Sequence, residues 1–374
     1  MPADRNDDAL ETLFLPIVNG ALSWPQDGAL FLRARDGWPL HRQALPGLVC
    51  EQSFKPDVDA LLRSGLDAHP PGDRPDQLLD QRLFPLVLVL PPRQRDEARA
   101  LFAQALARLR PGGTIVACSA NDEGAKSAEA DLARIAGPLN TLSKNKCRVF
   151  WTAPLTDGAS DDPLAAQWLA LDVPRAIGDG RFRSRPGIFA WDRVDTASAL
   201  LAAHLPDDLA GHAADLGAGY GYLSAELLRR CPGIRALDVF EAEARALALA
   251  RENLAAFETR AAIDMHWHDV TAGLPRTYDV IVTNPPFHAS HRTERPDIGR
   301  RFIAIAAAAL VPGGRLWLVA NRHLPYEAVL DAHFGSVRTM AQAQGFKIVE
   351  AVKALPIKTR AAKPFDKASL RRLG

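Results

Sequence analysis

The stretch Asp215-Leu216-Gly217-Ala218-Gly219-Tyr220-Gly221-Tyr222 decides the fold class, because it places a glycine-rich turn directly between an apolar strand and a helical segment. Glycine lets the backbone turn tightly and brings main-chain N–H groups close to a ligand. The dinucleotide fingerprint requires the spacing G-x-G-x-x-G, whereas the glycines here follow G-x-G-x-G, with Tyr222 in place of the third glycine of the fingerprint. An acidic residue, Asp215, also precedes the first glycine by two positions. Both departures favour S-adenosylmethionine (SAM) over NAD as the ligand.

The segments around this turn alternate between strand and helix. Four short apolar runs are predicted as strands, and they end at Leu216, Glu241, Thr283 and Val319. Between them lie segments rich in Ala and Leu with helical spacing, such as residues 242–254 and 300–310. Short apolar runs separated by helices predict an α/β fold with a parallel sheet covered on both faces. In such sheets, ligands bind beyond the carboxyl ends of the strands.

A carboxylate follows the next strand. Glu241 ends the apolar run that comes after the glycine turn, and it lies twenty residues beyond Gly221. A carboxylate at about this distance from a glycine loop can accept hydrogen bonds from both hydroxyls of a ribose. The glycine turn and Glu241 together predict a nucleoside cofactor. The alternative is a glycine-rich turn that serves packing alone.

A second turn, Thr283-Asn284-Pro285-Pro286-Phe287-His288, follows another apolar strand. An exocyclic base amine is a poor nucleophile, since its lone pair is delocalised into the ring, and two acceptors that bind its two hydrogens can orient that lone pair. The side-chain carbonyl of Asn284 and the backbone carbonyl of Pro285 are suitable acceptors, and the prolines stiffen the turn. Phe287 offers a face for stacking an unpaired base. These three residues are the predicted catalytic residues, and the alternative is a rigid Pro-Pro turn that only ends a strand.

The first half of the chain contains a weaker copy of the second. Residues 110–116, Arg-Pro-Gly-Gly-Thr-Ile-Val, resemble residues 311–317, Val-Pro-Gly-Gly-Arg-Leu-Trp, at an offset of 201 residues. Extended downstream, this offset matches Lys146 with Lys347. A period this long predicts a duplicated domain and not a solenoid. The alternative is coincidence between two generic strand-turn pairs.

The two copies differ where chemistry is expected. Residues 86–92 resemble residues 280–286, but Leu90 stands at the position of Asn284, so the first copy lacks the acceptor amide. Only Gly37 remains where a glycine-rich loop would lie. Both changes remove the chemistry and keep the strands. The first half is therefore predicted to be a degenerate copy.

The two halves join within a segment rich in proline and glycine, residues 172–187. Such punctuation is typical of an inter-domain connection, so we expect one domain over residues 1–172 and a second over residues 173–374. The segment also carries Arg175, Arg181, Arg183 and Arg185, and a basic tail begins near Lys353. Basic segments of this kind suit contact with RNA phosphates. They are equally typical of a solvated linker and a solvated terminus.

Composition excludes several classes of protein. The 374 residues are 47% hydrophobic and 24% charged with a formal net charge of +1, which fits two globular cores and argues against a disordered chain. The four cysteines form no C-x-x-C pair, which argues against a zinc ribbon and fits a reducing compartment. The N-terminus does not resemble a signal peptide, and the longest uncharged apolar run, residues 302–312, is too short to span a membrane. We expect a cytoplasmic protein without membrane contact.

One group of side chains raises the question of a metal. His266 and His268 alternate along a predicted strand, so both point to the same side, and Asp269 follows them. Methyl transfer to an amine needs no metal, and histidine pairs at strand ends are common. We therefore expect no metal site.

The two turns, in residues 215–219 and 284–288, and the duplicated first half resemble the bacterial rRNA guanine-N2 methyltransferases, which are class I SAM-dependent enzymes, and in particular those that act on 16S rRNA. The resemblance extends to residues 127–129, 138–140 and 186–189. It implies two tandem class I methyltransferase (Rossmann-like) domains that arose by duplication. It also implies that the second domain is catalytic, and that the first is a degenerate copy that helps to bind RNA and to hold the fold.

The same resemblance implies SAM as the cofactor and assigns roles in its site. Asp215 would contact the methionine end, Glu241 the ribose and Asp269 the adenine amine. The partner that it implies is ribosomal RNA, either naked or within the assembled small ribosomal subunit. The remaining residues predicted around the cofactor are Gly217, Gly219, Gly221 and Asn284, with Phe189, Asp195 and Thr196 as a lid over the methionine.

The predicted function is therefore SAM-dependent methylation of the N2 amine of a guanine in 16S rRNA. Guanine-N2 methylation of 23S rRNA is one alternative. Methylation of adenine N6 or of a glutamine amide is another, because an Asn-Pro-Pro turn serves any planar NH₂ group. A third alternative, from a different class, is an RNA-binding protein without activity, against which the intact Asp215, Glu241 and Asn284 argue.

Overall fold

The structure is a computed structural model, and it describes residues 7–71, 82–156, 162–286 and 296–356. Phe287 and the basic tail beyond residue 356 lie outside the described residues, so their predicted roles stay predictions. Among the described helices, none is long and apolar enough to cross a bilayer.

Two sheets of seven strands each form the frame. The strands of the first sheet are β1 Ala29–Leu32, β2 Leu48–Glu51, β3 Ala68–His69, β4 Phe84–Val89, β5 Leu109–Ala120, β6 Leu139–Lys144 and β7 Cys147–Thr152. A small antiparallel hairpin follows, made of β8 Arg175–Ile177 and β9 Phe182–Ser184. The strands of the second sheet are β10 Ala210–Leu216, β11 Gly233–Glu241, β12 Ala262–Trp267, β13 Tyr278–Thr283, β14 Leu310–Asn321, β15 Ser336–Ala343 and β16 Phe346–Val352.

Helices connect most of the strands. In the described part of the first half they are α1 Asp8–Leu13, α2 Leu15–Val18, α3 Lys55–Arg63, α4 Arg95–Ala107, α5 Ala125–Ala136 and α6 Pro163–Leu169. In the described part of the second half they are α7 Thr196–His204, α8 Tyr222–Arg230, α9 Ala244–Leu254, α10 Pro296–Ala309 and α11 Glu327–His333. Single 3₁₀ turns occur at Trp38–Leu40, Asn121–Glu123, Ala170–Asp172, Ala255–Phe257 and Val270–Ala272.

The two sheets have the same strand order. It is β3-β2-β1-β4-β5-β7-β6 in the first sheet and β12-β11-β10-β13-β14-β16-β15 in the second. Five strands of each sheet run parallel, as the sequence predicted, but β7 and β16 run antiparallel to their neighbours. Each sheet therefore keeps the predicted parallel strands and adds one antiparallel strand next to its edge. The cause is local: positive φ angles at Asn145 and Lys146, and at Gln344 and Gly345, make two-residue hairpin turns, which reverse the chain.

Each sheet is covered by apolar side chains on both faces. In the second half, α7, α8 and α9 pack on one face around Leu201, Leu227 and Ala250, while α10 and α11 pack on the other. In the first half, α1 and α3 cover one face, and α4, α5 and α6 cover the other. Each fully buried Leu or Phe side chain stabilises such a core by roughly 1.5–3 kcal/mol. Packing therefore stabilises the strands independently of the residues in the loops at their ends.

The change from one core to the other occurs near the predicted join. Trp168, in α6, packs in a core of the first sheet, whereas Ile177, in β8, packs in a core of the second. The division into domains of residues 1–172 and 173–374 stays a prediction, and these two side chains lie on opposite sides of it.

Strand register identifies equivalent positions in the two sheets. Leu32 pairs with Glu51 and Val89, and Leu216 pairs with Phe240 and Thr283. Leu32 and Leu216 are therefore equivalent. Val89 is then equivalent to Thr283, and Leu90, the next residue, is equivalent to Asn284. This agrees with the comparison of the two sequences.

The constant offset of 201 residues does not extend to the last strands. Val116 pairs with Trp151 as Trp317 pairs with Glu350, so the offset falls to 199 residues in β7 and β16. Lys347 is consequently equivalent to Arg148, and the match of Lys347 with Lys146 was wrong. Both cations bind a glutamate of the preceding helix, Arg148 to Glu129 in α5 and Lys347 to Glu327 in α11.

The loops after the equivalent strands β1 and β10 differ. Arg33, with a φ of 54°, stands at the position of Gly217, and the helix α8 that follows the second loop is reduced to the 3₁₀ turn Trp38–Leu40 in the first half. Gln52 stands at the position of Glu241, and its amide nitrogen donates to the carbonyl oxygen of Ala34 at 2.7 Å. The first half thus has an amide where the second has a carboxylate, a difference that the sequence comparison did not find.

The two halves meet through equivalent turns. The N–H of Lys55 donates to the carbonyl oxygen of Ala242 at 2.8 Å, and the N–H of Ala244 donates to that of Ser53 at 2.9 Å. Because Ser53 is equivalent to Ala242 and Lys55 to Ala244, this pair of bonds has local two-fold symmetry. The indole N–H of Trp267 adds bonds to both carbonyl oxygens, at 3.1 and 2.8 Å. The turn directly after Glu241 is therefore held by the first half of the chain.

A cluster of charges strengthens this contact. Arg245 binds Glu97 of the first half, Asp172 at 2.7 Å and the carbonyl oxygen of Pro186 at 3.0 Å. Gly187 leaves room for the cluster, since a Cβ atom on this glycine would lie 2.3 Å from the carboxylate of Glu97. The backbone of Gly187 also has a φ of 88°.

Replacing Gly187 with alanine should separate the two halves locally. We expect Gly187→Ala to lower the free energy of unfolding by about 2 kcal/mol more than Gly180→Ala does, because it also displaces a partly buried ion pair. Gly180 is a matched control: its φ is 82°, and a Cβ atom there would meet nothing within 4 Å, so that change adds only backbone strain of about 1–2 kcal/mol. Urea unfolding measures both losses, and equal losses would contradict the role assigned to the cluster.

Candidate active site

The register of three strands brings the predicted site residues together. Leu216 of β10 lies between Phe240 of β11 and Thr283 of β13. The residues that come next, the glycine loop, Glu241 and Asn284, therefore emerge at one edge of the sheet. The hydroxyl of Thr283 donates to the carbonyl oxygen of Leu216 at 2.8 Å and ties two of these strand ends to each other.

The three glycines of the loop serve different purposes. Gly217, Gly219 and Gly221 have φ angles of 72°, 58° and 88°, which favour glycine. A Cβ atom on Gly219 would meet no protein atom within 4 Å, so at this point the backbone faces open space that a ligand can approach closely. A Cβ atom on Gly221 would lie 3.2 Å from the Cβ atom of Ala250, so this glycine allows close packing against α9. Gly221 thus has a packing role, and its role in the cofactor site stays a prediction.

Glu241 organises the turn around it. Its carboxylate accepts hydrogen bonds from the N–H of Gly219 at 2.7 Å and from the N–H of Glu243 at 2.8 Å. Burial raises the pKa of this carboxyl, while the two backbone N–H groups lower it in part. One carboxylate therefore fixes the glycine loop relative to the turn that the first half holds.

Asp215 is fully buried beneath the loop. Its Oδ2 accepts a hydrogen bond from the hydroxyl of Ser224 at 2.7 Å, whereas its Oδ1 is buried without a hydrogen-bond partner in the described part of the chain. Burial raises the pKa of Asp215 to about 7, although the Ser224 hydroxyl opposes this shift. A buried acceptor without a partner is unfavourable by about 1–3 kcal/mol, so a bound cation or N–H donor would stabilise Asp215.

Asn284 is held at one end of its side chain. Its Nδ2 donates to Oδ2 of Asp195 at 3.0 Å and to the hydroxyl of Ser198 at 2.9 Å. Its Oδ1 is buried and has no hydrogen-bond partner among the residues that the structure describes. The atom for which the sequence predicted an acceptor role is therefore the end of the amide that the protein leaves available.

Asp269 has a local partner. Its Oδ1 accepts from the N–H of Thr271 at 2.8 Å and from the Thr271 hydroxyl at 2.7 Å, which caps the 3₁₀ turn that follows.

The residues predicted to form a lid over the methionine are more exposed than the residues described above. Phe189 is 63% exposed, and Thr196, the first residue of α7, is also exposed. Pro285 is buried next to Asn284, whereas Phe287 lies outside the described residues. No contact of Phe189 or Thr196 with the glycine loop is described, so the cofactor roles of these two residues stay predictions.

Sequence reasoning missed Ser198 and gave Asp195 a different role. Asp195 was placed in the lid, but its described contacts are with Asn284 and with the N–H of Ser198, which it caps at 2.8 Å. The local signal was present, because aspartate is a preferred N-cap residue and an Ala- and Leu-rich segment follows it. Its contact with Asn284 could not be found in this way, since 89 residues separate the two.

The histidines near β12 do not form the metal group considered from the sequence. The Nε2 atom of His268 is hydrogen-bonded to the backbone carbonyl oxygen of Gly273. Among the described residues, the side chains with suitable spacing for a metal are instead those of Asp238, Asp264 and His266. A cation already lies there, because the guanidinium of Arg276 is 3.3 Å from Asp238 and 3.1 Å from Asp264. The expectation of no metal stays a prediction.

The linker arginines are bound within the chain. Arg185 lies with Asp172 in the cluster between the halves, with Nε at 2.9 Å from the carboxylate. Arg181 binds Glu226, and Arg183 lies 3.6 Å from Glu252. The guanidinium of Arg175 lies over the ring of Trp191. Arg185 therefore serves the fold, while Arg181 and Arg183, both more than half exposed, remain candidates for RNA contact.

Comparisons with known proteins agree with this architecture. Residues 179–350 match the methyltransferase small domain family. The chain is 34% identical to the ribosomal RNA small subunit methyltransferase C of Pseudomonas paraeruginosa, over 76% of this chain and 85% of that protein. It is 32% identical to the protein of the same name from Vibrio cholerae, over 72% of this chain and 77% of that protein.

A solved structure is similar over nearly the whole chain. The T. thermophilus 16S rRNA N2 G1207 methyltransferase RsmC, in complex with AdoMet and guanosine, superposes with a TM-score of 0.75 and 25% sequence identity, covering 93% of this chain and 92% of that chain. The resemblance found in the motifs, and with it the tandem class I α/β fold, is confirmed. By sequence over most of both proteins and by its two-sheet architecture, the chain belongs to the ribosomal RNA small subunit methyltransferase C family.

Proposed function

We propose that this chain transfers the methyl group of SAM to the N2 amine of a guanine in 16S rRNA, at the position equivalent to G1207, on which the T. thermophilus enzyme acts. The observation that carries the proposal is the buried Oδ1 atom of Asn284, which has no partner within the described ranges and lies at the same sheet edge as the glycine loop. The guanosine in the T. thermophilus complex favours guanine over adenine or a glutamine amide.

The residues of the second half fit SAM. Oδ1 of Asp215 is a buried acceptor without a partner, which suits the ammonium group of the methionine moiety. The open space in front of Gly219 suits a ligand that lies against the backbone, and the carboxylate of Glu241 suits the ribose hydroxyls. When bound, SAM supplies an electrophilic methyl group on its sulfonium.

Asn284 and Pro285 would orient the amine. The carbonyl oxygens of both residues accept the two N–H hydrogens, so that the nitrogen lone pair points toward the methyl group. Pro285 has no N–H that would compete for the substrate. After transfer, the amine proton passes to water or to a nearby acceptor, and the proposal assigns no strong general base. Stacking of the base on Phe287 belongs to the same proposal, and that residue lies outside the described ones.

The first half would hold the site and add RNA contacts. It bonds the turn after Glu241 through Ser53 and Lys55, so it fixes the predicted ribose site without forming part of it. The side chains of Gln52 and Leu90, at the positions of Glu241 and Asn284, support the proposal that SAM binds only in the second half. A substrate of either kind, naked 16S rRNA or the assembled small subunit, supports a cytoplasmic location.

The pKa of Asp215 makes SAM affinity dependent on pH. If ionised Asp215 binds the ammonium group, binding must first remove the proton that a pKa of about 7 retains at lower pH. The SAM dissociation constant should therefore rise by up to about tenfold as the pH falls from about 7.5 to about 6. Isothermal titration across this range measures the change, and Asp215→Asn should bind more weakly and without pH dependence. A flat profile in the unaltered protein would rule out the contact.

Replacing Asn284 should separate chemistry from binding. We expect Asn284→Ala to lower the single-turnover rate at saturating SAM on the order of a hundredfold or more, because one preorganised acceptor is lost, while the SAM dissociation constant stays nearly unchanged. Glu241→Ala should instead weaken SAM binding first. Asn121→Ala, at an exposed position of the 3₁₀ turn after β5, is the matched control and should change neither. Near-normal turnover by Asn284→Ala would show that the amide does not bind the amine.

A further inference from the structure

The amide of Asn284 has two ends of nearly the same shape and opposite chemistry. The oxygen accepts hydrogen bonds, and the NH₂ group donates them. Only the groups around the amide decide which end points toward the substrate. In this structure both hydrogens of Nδ2 have acceptors, Oδ2 of Asp195 at 3.0 Å and the Ser198 hydroxyl at 2.9 Å, whereas Oδ1 has no partner among the described residues.

The two acceptors are themselves held rigidly. Asp195 is the N-cap of α7, and its Oδ2 accepts from the N–H of Ser198 at 2.8 Å. Ser198 is 7% exposed, so its hydroxyl has little freedom to turn toward solvent. A helix N-terminus thus places a carboxylate and a hydroxyl side by side, three residues apart, against the end of β13. A carboxylate accepts hydrogen bonds and does not donate them, so it selects the NH₂ end of the amide.

We propose that Asp195 and Ser198 are positioning residues that orient the Asn284 amide so that its carbonyl oxygen faces the substrate. The reversed amide would present two hydrogens to the two hydrogens of the amine, and these groups repel each other. The same orientation makes the pocket select a substrate group that donates, such as the N2 amine of guanine, over one that accepts, such as a ring carbonyl. This inference rests on the proposed function of Asn284.

The isosteric change Asp195→Asn tests the orientation without removing the helix cap. Asparagine caps a helix about as well as aspartate, but it can offer either an oxygen or an NH₂ group, so it no longer selects one orientation of Asn284. We expect the single-turnover rate at saturating SAM and RNA to fall on the order of ten- to hundredfold. The SAM dissociation constant and the midpoint of urea unfolding should stay close to those of the unaltered protein.

Asp162→Asn provides the matched control. Asp162 is the N-cap of α6 and accepts from the N–H of Leu164 at 2.7 Å, so the same substitution there alters a cap away from the site and should leave the rate unchanged. If Asp195 serves only as a cap, Asp195→Asn should behave like this control, which would overturn the inference. An increase in the SAM dissociation constant with a normal rate at saturating SAM would also overturn it, because Asp195 would then act in the lid.

A double-mutant cycle distinguishes failure of this inference from failure of the proposed function. If Asp195 acts through Asn284, Asp195→Asn should slow the reaction in the unaltered protein and cause no further loss in Asn284→Ala. A slow Asn284→Ala variant beside a normal Asp195→Asn variant would overturn only the positioning role. A normal rate in Asn284→Ala would overturn the function proposed for Asn284. Ser198→Ala, which removes one of the two acceptors, should give a smaller loss than Asp195→Asn.

Discussion

The register of β10 between β11 and β13 is the constraint on which the site depends. Because Leu216 lies opposite both Phe240 and Thr283, the glycine loop, Glu241 and Asn284 leave the sheet at the same edge. A shift of one residue in either pairing would turn the side chains of that strand to the other face and separate the carboxylate from the loop that it holds. The apolar cores on both faces of the sheet fix this register. The packing of the strands therefore also determines where the site residues lie.

The chain contains this arrangement of strands twice, with different side chains at the strand ends. In the second half, Glu241 accepts from the N–H of Gly219, whereas in the first half the equivalent Gln52 donates to the carbonyl oxygen of Ala34. Both side chains keep the bond to the N–H two residues later, in Glu243 and Phe54. The contact that shapes the turn has thus survived, while the carboxylate has not. The strands of both halves are packed in the same way, and the side chains that differ lie at the strand ends.

Sequence patterns predicted those features that have a local signature. The glycine loop, the carboxylate after the next strand and the Asn-Pro-Pro turn each follow an apolar strand, so their meeting at one edge could be predicted. The hydrogen bond from Asn284 to Asp195 could not be predicted in this way, because Asp195 lies 89 residues away and its local sequence indicates only the start of a helix. The antiparallel hairpins rest on positive φ angles at residues such as Lys146 and Gln344, which sequence does not mark. The internal bonding of the linker arginines depends on tertiary contacts in the same way.

The identity of the methylated product tests the central claim most directly. Purified protein would be incubated with small and large ribosomal subunits from a strain lacking it and with SAM labelled in its methyl group. Mass spectrometry would then locate the label among the nucleosides of the digested 16S and 23S rRNA and among the peptides of the digested ribosomal proteins. We expect the label in N2-methylguanosine at a single position, and far less label in the same reaction time with the Asn284→Ala variant. Label in N6-methyladenosine, in a protein glutamine or in 23S rRNA would contradict the account of an acceptor pair that orients the N2 amine of one guanine in 16S rRNA.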